Sequence, residues 1–547
     1  MKKIFLYCLP FCLLFASCSD LLDEESYSET GKGNYLNNAK EAETVLQGVY
    51  KNLANEYTYS YHLSLLFTIS TDIAQCEGSS TTSFREIPTN SHNASTSQIS
   101  RTWQQLYSAI YDANDFIETV SDRMDGWGSS DRELAAIYLG EARALRALFY
   151  FELVRWYGNV VLMTSTADSR KKDEDYEQTA AKDVYAYIEE DLKYAAEVLP
   201  WAVDDTKRTS NAYRFSKGAA LGLLAKVYCT WAGYPVKDES KWAEAEKVAR
   251  RVVESGKHRL ISDYETVWKN TCNGIWDAGE SLIEVSFYSP TGLDSDNTAG
   301  RIGKWNGVSA TTIDGERGRN AANWKVVYTF TRDWEAQNDP RMKLSIADYK
   351  YDHTLGSGPI TYFSTISSAN PSEDQKNRQR QLFTPGKWDT EKYVETSNYI
   401  VNNDKSNVNW YILRYSDVLL LFAEALNESG GSIVDAVDAV NAVRRRGFGD
   451  TKHDLSYGLS REDLREAIRK ERAYELCFEG HRKQDLIRWG IYYDRVMETA
   501  QELVNWYSNA NYAVARYIIK GRHELLPIPQ RDLDMMPKCK QNSGWGQ

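Results

Sequence analysis

Ser216-Lys-Gly-Ala-Ala-Leu-Gly-Leu-Leu-Ala-Lys-Val-Tyr-Cys-Thr-Trp231, followed ten residues later by Trp242-Ala-Glu-Ala-Glu-Lys-Val-Ala-Arg-Arg-Val-Val-Glu254, decides the fold of this chain. The first segment is helical and apolar all round, so it is a buried helix. Its small residues Gly218, Ala219, Ala220, Gly222 and Ala225 let a partner helix come close. The second segment is amphipathic and ends at Ser255-Gly256, a helix stop signal, so it is that partner. The pattern recurs as Tyr415 to Asn427, the turn Gly430-Gly431, and Ile433 to Arg446.

Working outward, Trp103 to Val120 and Leu134 to Tyr157 carry helical stripes, the second through Ala142, Leu145, Leu148, Phe149 and Leu153. Asp183 to Leu199 is a helix that stops at Pro200. Helix, turn and helix over about 34 residues resembles tetratricopeptide (TPR) repeats, with an irregular period. Helical pairs are therefore expected within about 40–255 and 411–450. Between them, at about 256–410, the stripes fade and Gly, Asn, Asp, Ser and Thr dominate. Short strand candidates appear there, such as Ser281 to Tyr288. This stretch also holds seven of the sixteen tryptophans: Trp268, Trp276, Trp305, Trp324, Trp334, Trp388 and Trp410. Loop-rich sequence mounted on a rigid scaffold is where recognition usually sits.

The N-terminus gives the address. Lys2 and Lys3 precede thirteen apolar residues, Ile4 to Ala16, and the run ends in Leu14-Phe-Ala-Ser-Cys18. That is shorter than the roughly 20 residues of a spanning helix and suits a secretory signal. The final residues resemble a lipoprotein signal-peptidase site. Residues 1–17 are thus expected to leave, with Cys18 as the lipidated first residue and an acidic tether behind it. No later segment is long and apolar enough to span a bilayer.

With 65 basic and 77 acidic side chains the chain carries −12, and losing Lys2 and Lys3 makes it two units more negative. Such a surface excludes nucleic acid and anionic lipid as partners. Eight cysteines, two of them in the leader, show no CxxC or metal spacing and no disulfide framework. The seven histidines are scattered without metal-ligand spacing, and Gly315-Glu-Arg-Gly lacks the context of a phosphate loop. No GxSxG elbow occurs. Glu475 and Glu479 stand one turn apart among Arg472, Arg482, Asp485 and Arg488, which reads as an ion-paired helix rather than a hydrolase pair. The chain is accordingly read as a binding protein, not an enzyme. No cofactor is expected, and calcium near Asp294 and Asp296 is not predicted.

Four segments carry a family resemblance: Glu141-Ala-Arg-Ala-Leu-Arg-Ala-Leu-Phe-Tyr-Phe-Glu-Leu-Val-Arg-Trp-Tyr-Gly158; Arg414-Tyr-Ser-Asp-Val-Leu-Leu-Leu-Phe-Ala-Glu-Ala-Leu-Asn-Glu428; Glu471-Arg-Ala-Tyr-Glu-Leu-Cys-Phe-Glu-Gly-His-Arg-Lys-Gln-Asp-Leu-Ile-Arg-Trp-Gly490; and Leu525-Leu-Pro-Ile-Pro-Gln530 with Gln541-Asn-Ser-Gly-Trp545. In this order, behind a lipoprotein signal, they resemble the SusD/RagB family of outer-membrane nutrient-binding lipoproteins. Lys483-Gln484 departs from that pattern, which usually has aromatic residues there. The resemblance implies a mainly α fold with about four TPR-like units and an irregular, loop-rich ligand-binding region containing short strands. It implies one SusD-like domain over 18–547, with family motifs in 460–547. It further implies a cell-surface lipoprotein on the outer membrane that captures an oligosaccharide and passes it to a SusC-like TonB-dependent transporter. The alternatives are a peptide ligand for the same uptake system and, further off, a helical lipoprotein glycosidase.

Sugar rings present an apolar C–H face that a flat indole or phenol covers, while their hydroxyls need planar donors and acceptors. On the helical stripes and family motifs, Trp103, Trp156, Trp231, Trp242 and Trp489 are assigned to core. Among the Gly, Asn and Asp of the irregular stretch, Trp276, Trp305 and Trp324 are the ligand candidates, with Tyr288 after the strand candidate. Asp72 and Arg85 from the early irregular segment, and Asn306 and Asn323 beside tryptophans, are the expected polar partners.

Overall fold

The computed structural model describes residues 36–289, 298–313, 315–356 and 358–546. The leader, Cys18, Asp294 and Asp296 lie outside the described residues. The first half is a run of helices: α1 (Ala39–Lys51), α2 (Ser97–Arg123), α3 (Ser129–Tyr157), α4 (Ala181–Val198), α5 (Lys217–Ala232) and α6 (Lys241–Val253). The irregular stretch carries α7 (Tyr264–Cys272) and the short α8 (Tyr328–Glu335), α9 (Arg341–Ser345), α10 (Glu373–Arg380) and α11 (Thr390–Tyr393). The chain then returns to helices: α12 (Tyr415–Ser429), α13 (Ile433–Phe448), α14 (Arg461–Glu475), α15 (Arg482–Arg488) and α16 (Tyr492–Trp506).

The fold is mainly α, and its helices pack as TPR-like pairs: α3 on α4, α5 on α6, α12 on α13. Local chemistry sets the limits. Ser216 caps α5 by accepting from the Ala219 amide, and Ser432 caps α13 through Asp435. Between them Gly430 ends α12 in the left-handed region at φ 79°, a conformation that glycine adopts without strain. Helix α12 also lies against α6 and α5, so the stack resumes where it was interrupted.

Helix α6 packs on α5 as the sequence suggests, and Gly222 of the small stripe meets further partners. A Cβ on Gly222 would lie 2.9 Å from Leu413, 3.0 Å from Leu282 and 3.1 Å from Val418. Leu282 and Leu413 belong to two strands, Ser281–Val285 and Trp410–Arg414, which pair antiparallel. The close approach therefore seats this two-stranded sheet and α12, although α6 also packs on α5. A second pair joins Ala74–Cys76 to Trp324–Val326, with Cys76 opposite Trp324.

The tryptophans of the irregular stretch are mostly interior, and Trp324, expected to touch ligand, is one of them. Trp268, Trp334, Trp388 and Trp410 are at most 2% exposed, and Trp324 is 3% exposed. Trp388 stacks on Trp410 at 5.3 Å and meets Trp268 edge-on at 5.5 Å. The reason is packing. Short elements lack long apolar stripes, and an indole that buries about 150–250 Å² supplies the missing area. One continuous hydrophobic core thus runs through the helical stack and the irregular stretch together. Of the five tryptophans assigned to core, Trp103, Trp156 and Trp231 are buried while Trp242 and Trp489 are half-buried.

Candidate functional site

The Ala74–Cys76 strand fixes the start of a loop that returns over the irregular stretch. The Glu77 amide donates to the Asn323 carbonyl at 2.7 Å, and Arg85 Nε donates to the Glu77 carbonyl at 2.9 Å. Between them Ser83–Arg85 forms a single 3-10 turn. That turn places the half-buried Phe84 ring edge-on to Trp305 at 4.9 Å, with the Arg85 guanidinium 4.4 Å above Phe84. Trp305, 8% exposed, also meets Tyr61 at 5.0 Å and Trp324 at 5.8 Å.

Planar polar groups border these rings. Arg301 lies 4.7 Å over Tyr61 and 5.2 Å from the Trp305 ring. Glu56 at 2.8 Å and Asp404 at 3.6 Å hold it there. The Trp305 indole donates to Asp404 at 3.3 Å. Glu56 and Asp404 are about half exposed, so each offers oxygen atoms to solvent. Two bordering carboxylates balance two guanidiniums, and the ledge carries no net charge. Such a surface suits a ligand with an apolar face and many hydroxyls. Its rim contacts would each contribute little.

Tyr288 joins the same neighbourhood and is 68% exposed. Its amide donates to Thr298 at 3.0 Å. The next amide, Ser289, donates to Asn407 at 2.8 Å, and Gly300 bridges to Ser406, two residues from Asp404. Of the sequence candidates, then, Tyr288 is exposed on a neighbouring loop, while Trp305 and Arg85 reach the ledge. Trp324 forms its buried backing, and Asn323 supports it through its carbonyl.

Three candidates stand elsewhere. Asn306 is fully buried, and its Oδ1 accepts from the Gly303 amide at 2.7 Å, which closes a turn. Asp72 is 3% exposed. It accepts from Arg482 at 2.9 and 2.7 Å and from Arg495 at 3.1 Å, on the floor of a cleft beside α14 and α16. Burial pushes its carboxyl up, but the charges of Arg482 and Arg495 outweigh this and hold it below the ordinary range. Trp276 sits apart with Tyr213 at 6.2 Å. Sequence reasoning missed Phe84, Tyr61, Arg301, Glu56 and Asp404. Only Phe84 carried a signal, as a lone aromatic in the polar run before Arg85.

Glu475 and Glu479 are a second correction. Helix α14 ends at Glu475, and Glu479 lies in the following turn. Their partners come from outside the segment. Arg414 binds Glu280 at 2.7 Å, Glu475 at 3.0 Å and Glu479 at 2.7 Å; Lys387 binds Glu479 at 2.7 Å, and Arg341 binds Glu475 at 3.0 Å. All of these side chains are at most 1% exposed. Burial raises the Glu475 carboxyl, but Arg446, Arg414 and Arg341 together hold it well below the usual carboxylate range. Sealed and permanently ionised, this pair has no route to a scissile bond. Among the described residues no group of three or more His, Cys, Asp or Glu is arranged to hold a metal ion. None of their helices is long and apolar enough to cross a membrane.

Comparison with known proteins adds the context. Residues 293–545 match the model of the SusD family, and residues 20–229 match one described as starch-binding associating with outer membrane. A SusD homolog from Bacteroides thetaiotaomicron is 54% identical, with a TM-score of 0.90, over 95% of this chain and 100% of its own. SusD-like protein P2 of Formosa agariphila is 27% identical over 89% of this chain and 91% of its own. A laminarin-binding SusD-like protein shares the fold at a TM-score of 0.68 and 23% identity, over 93% of this chain and 100% of its own.

Proposed function

The chain belongs to the SusD family, and from that premise we propose that it is a non-enzymatic glycan-binding lipoprotein of the outer membrane. The observation that carries this reading is the uncharged ledge, in which Phe84 and the edge of Trp305 are bordered by Arg85, Arg301, Glu56 and Asp404, with Tyr288 exposed on a neighbouring loop. Rings cover sugar C–H faces, and planar side chains pair with hydroxyls. That one structural relative is named for laminarin binding supports the same reading. In it, Cys18 carries the lipid, the body faces the cell exterior, and the captured oligosaccharide passes to a SusC-like TonB-dependent transporter. Modest affinity at an open ledge suits such a handover, because release must be as easy as capture.

The test removes half-buried Phe84 and exposed Tyr288 and leaves the buried tryptophans in place. Phe84→Ala with Tyr288→Ala should weaken retention in native gels containing laminarin or amylopectin at least tenfold, with the helical circular-dichroism signal unchanged. Trp305 and Trp324 are poor probes, because alanine there removes buried packing and costs about 3–5 kcal/mol. Full retention by the folded double variant would refute this site. New reducing ends released from either polymer by the purified protein would refute the non-enzymatic reading.

A further inference from the structure

Trp276 is the one tryptophan of the irregular stretch that the core does not take up, and its surroundings resemble the ledge in chemistry but share no residue with it. The indole is half-buried, and its ring neighbour is Tyr213 at 6.2 Å and 52°. The Tyr213 phenol donates to the Gly274 carbonyl, which fixes the backbone just before the indole. An open pocket of about 460 Å³ adjoins Trp276, with Val203 and Arg259 on its border. Val203 and the neighbouring Ile275 are 55% and 52% exposed, so two aliphatic side chains lie open beside the indole.

The polar groups here are paired and planar. Both terminal nitrogens of Arg259 bind Asp277 at 3.0 Å, and Lys257 binds Asp204 at 2.9 Å. Arg259 is 65% exposed, so its remaining donor edge faces solvent beside Trp276. Every charge at this rim is compensated, so nothing here attracts an anion or a cation. A half-buried indole, two aliphatic side chains and a planar guanidinium–carboxylate pair match the two faces of a neutral sugar.

We propose that Trp276, Val203, Arg259 and Asp277 form a second glycan-binding platform, for a neutral sugar unit; this rests on the glycan-binding reading above. Its position defines its use. The two platforms share no residue: Phe84, Trp305, Arg301 and Asp404 form one, Trp276, Val203, Arg259 and Asp277 the other. One short sugar therefore occupies one of them, whereas a polysaccharide long enough to span both engages them together. Simultaneous engagement raises overall affinity by about 10²–10⁴ over either site alone when the geometry permits it.

The experiment compares polymer with trisaccharide. The full chain and the variants Trp276→Ala and Val203→Arg are run in native gels containing laminarin, amylopectin or xylan. Each is also titrated with the trisaccharide of whichever polymer is retained. Val203→Arg serves as the second variant because it keeps the indole and only obstructs the pocket. The expected result is at least a tenfold fall in polymer retention for both variants, and a trisaccharide stoichiometry that falls from two to one. Unchanged retention and stoichiometry in either folded variant, beside a wild type that binds, overturns the second platform alone. A wild type retained by none of the three polymers overturns the platform and the glycan-binding reading together.

Discussion

Asp72 is the residue through which the division between frame and ledge is most sharply tested. Its carboxylate makes three charge-assisted hydrogen bonds, to Arg482 at 2.9 and 2.7 Å and to Arg495 at 3.1 Å. Removing one partner of a buried ion pair costs about 3–5 kcal/mol. Here the arginines reach solvent to 14% and 29%, and Arg495 keeps Glu502 at 3.2 Å. The lower end, about 3 kcal/mol, therefore applies to Asp72→Ala. The pH dependence has a definite sign. The folded-state carboxyl lies below its ordinary value, so its contribution is present above the unfolded pKa and is lost as pH falls through the folded one. Urea unfolding followed by circular dichroism measures both effects, and Asp72→Asn should remove this acid-side loss. In the same samples, gel retention on laminarin or amylopectin should equal wild type wherever the variant is folded. A variant with wild-type stability and lost retention would refute the assignment of Asp72 to the frame.

Glu284 is expected to act in the opposite direction. Burial pushes its carboxyl up to about 7, with Ser281 and Asn409 donating to it and only partly offsetting that. Its contribution is full below the unfolded value near 4.5 and falls as pH rises through 7; Glu284→Gln should flatten the decline in melting temperature between about pH 5 and 8. Gly222→Val should destabilise by about 1–3 kcal/mol through overpacking against Leu413 and Leu282, and a melting curve equal to wild type would contradict the close approach. Thiol titration checks the leader. The described cysteines Cys76, Cys229, Cys272, Cys477 and Cys539 are free and buried, so a mature chain acylated at Cys18 should show no reactive thiol when folded and five in denaturant.

The helical half was legible because each helix announces itself twice, by a stripe and by its ends. Gly430-Gly431 marks the turn from α12 to α13, and Pro200 marks the stop of α4. What sequence could not show is which surface a small-residue stripe meets. Gly222 faces Leu282 and Leu413, about 60 and 190 residues away. The same blindness to distant contacts explains the tryptophans. Trp388 and Trp410 look like Trp305 in local composition, yet they stack on each other in the interior. Asp72 reads as a polar partner from its sequence because it stands in an irregular polar segment. Its actual partners, Arg482 and Arg495, lie over 400 residues onward. Arg301 and Asp404 escaped notice for the same reason, since only their meeting at Trp305 gives them a role.

The long excursion between α6 and α12 has an evolutionary consequence. Both of its ends are moored in adjoining helices, so its solvent-facing loops can change length or side chains while the residues that share the core hold their places. The entropy of closing a longer loop rises by only about 0.6 kcal/mol per doubling of length. The exposed side chains of the excursion, Asp404 of the ledge among them, should therefore drift faster among descendants of one ancestor than the residues buried against the stack.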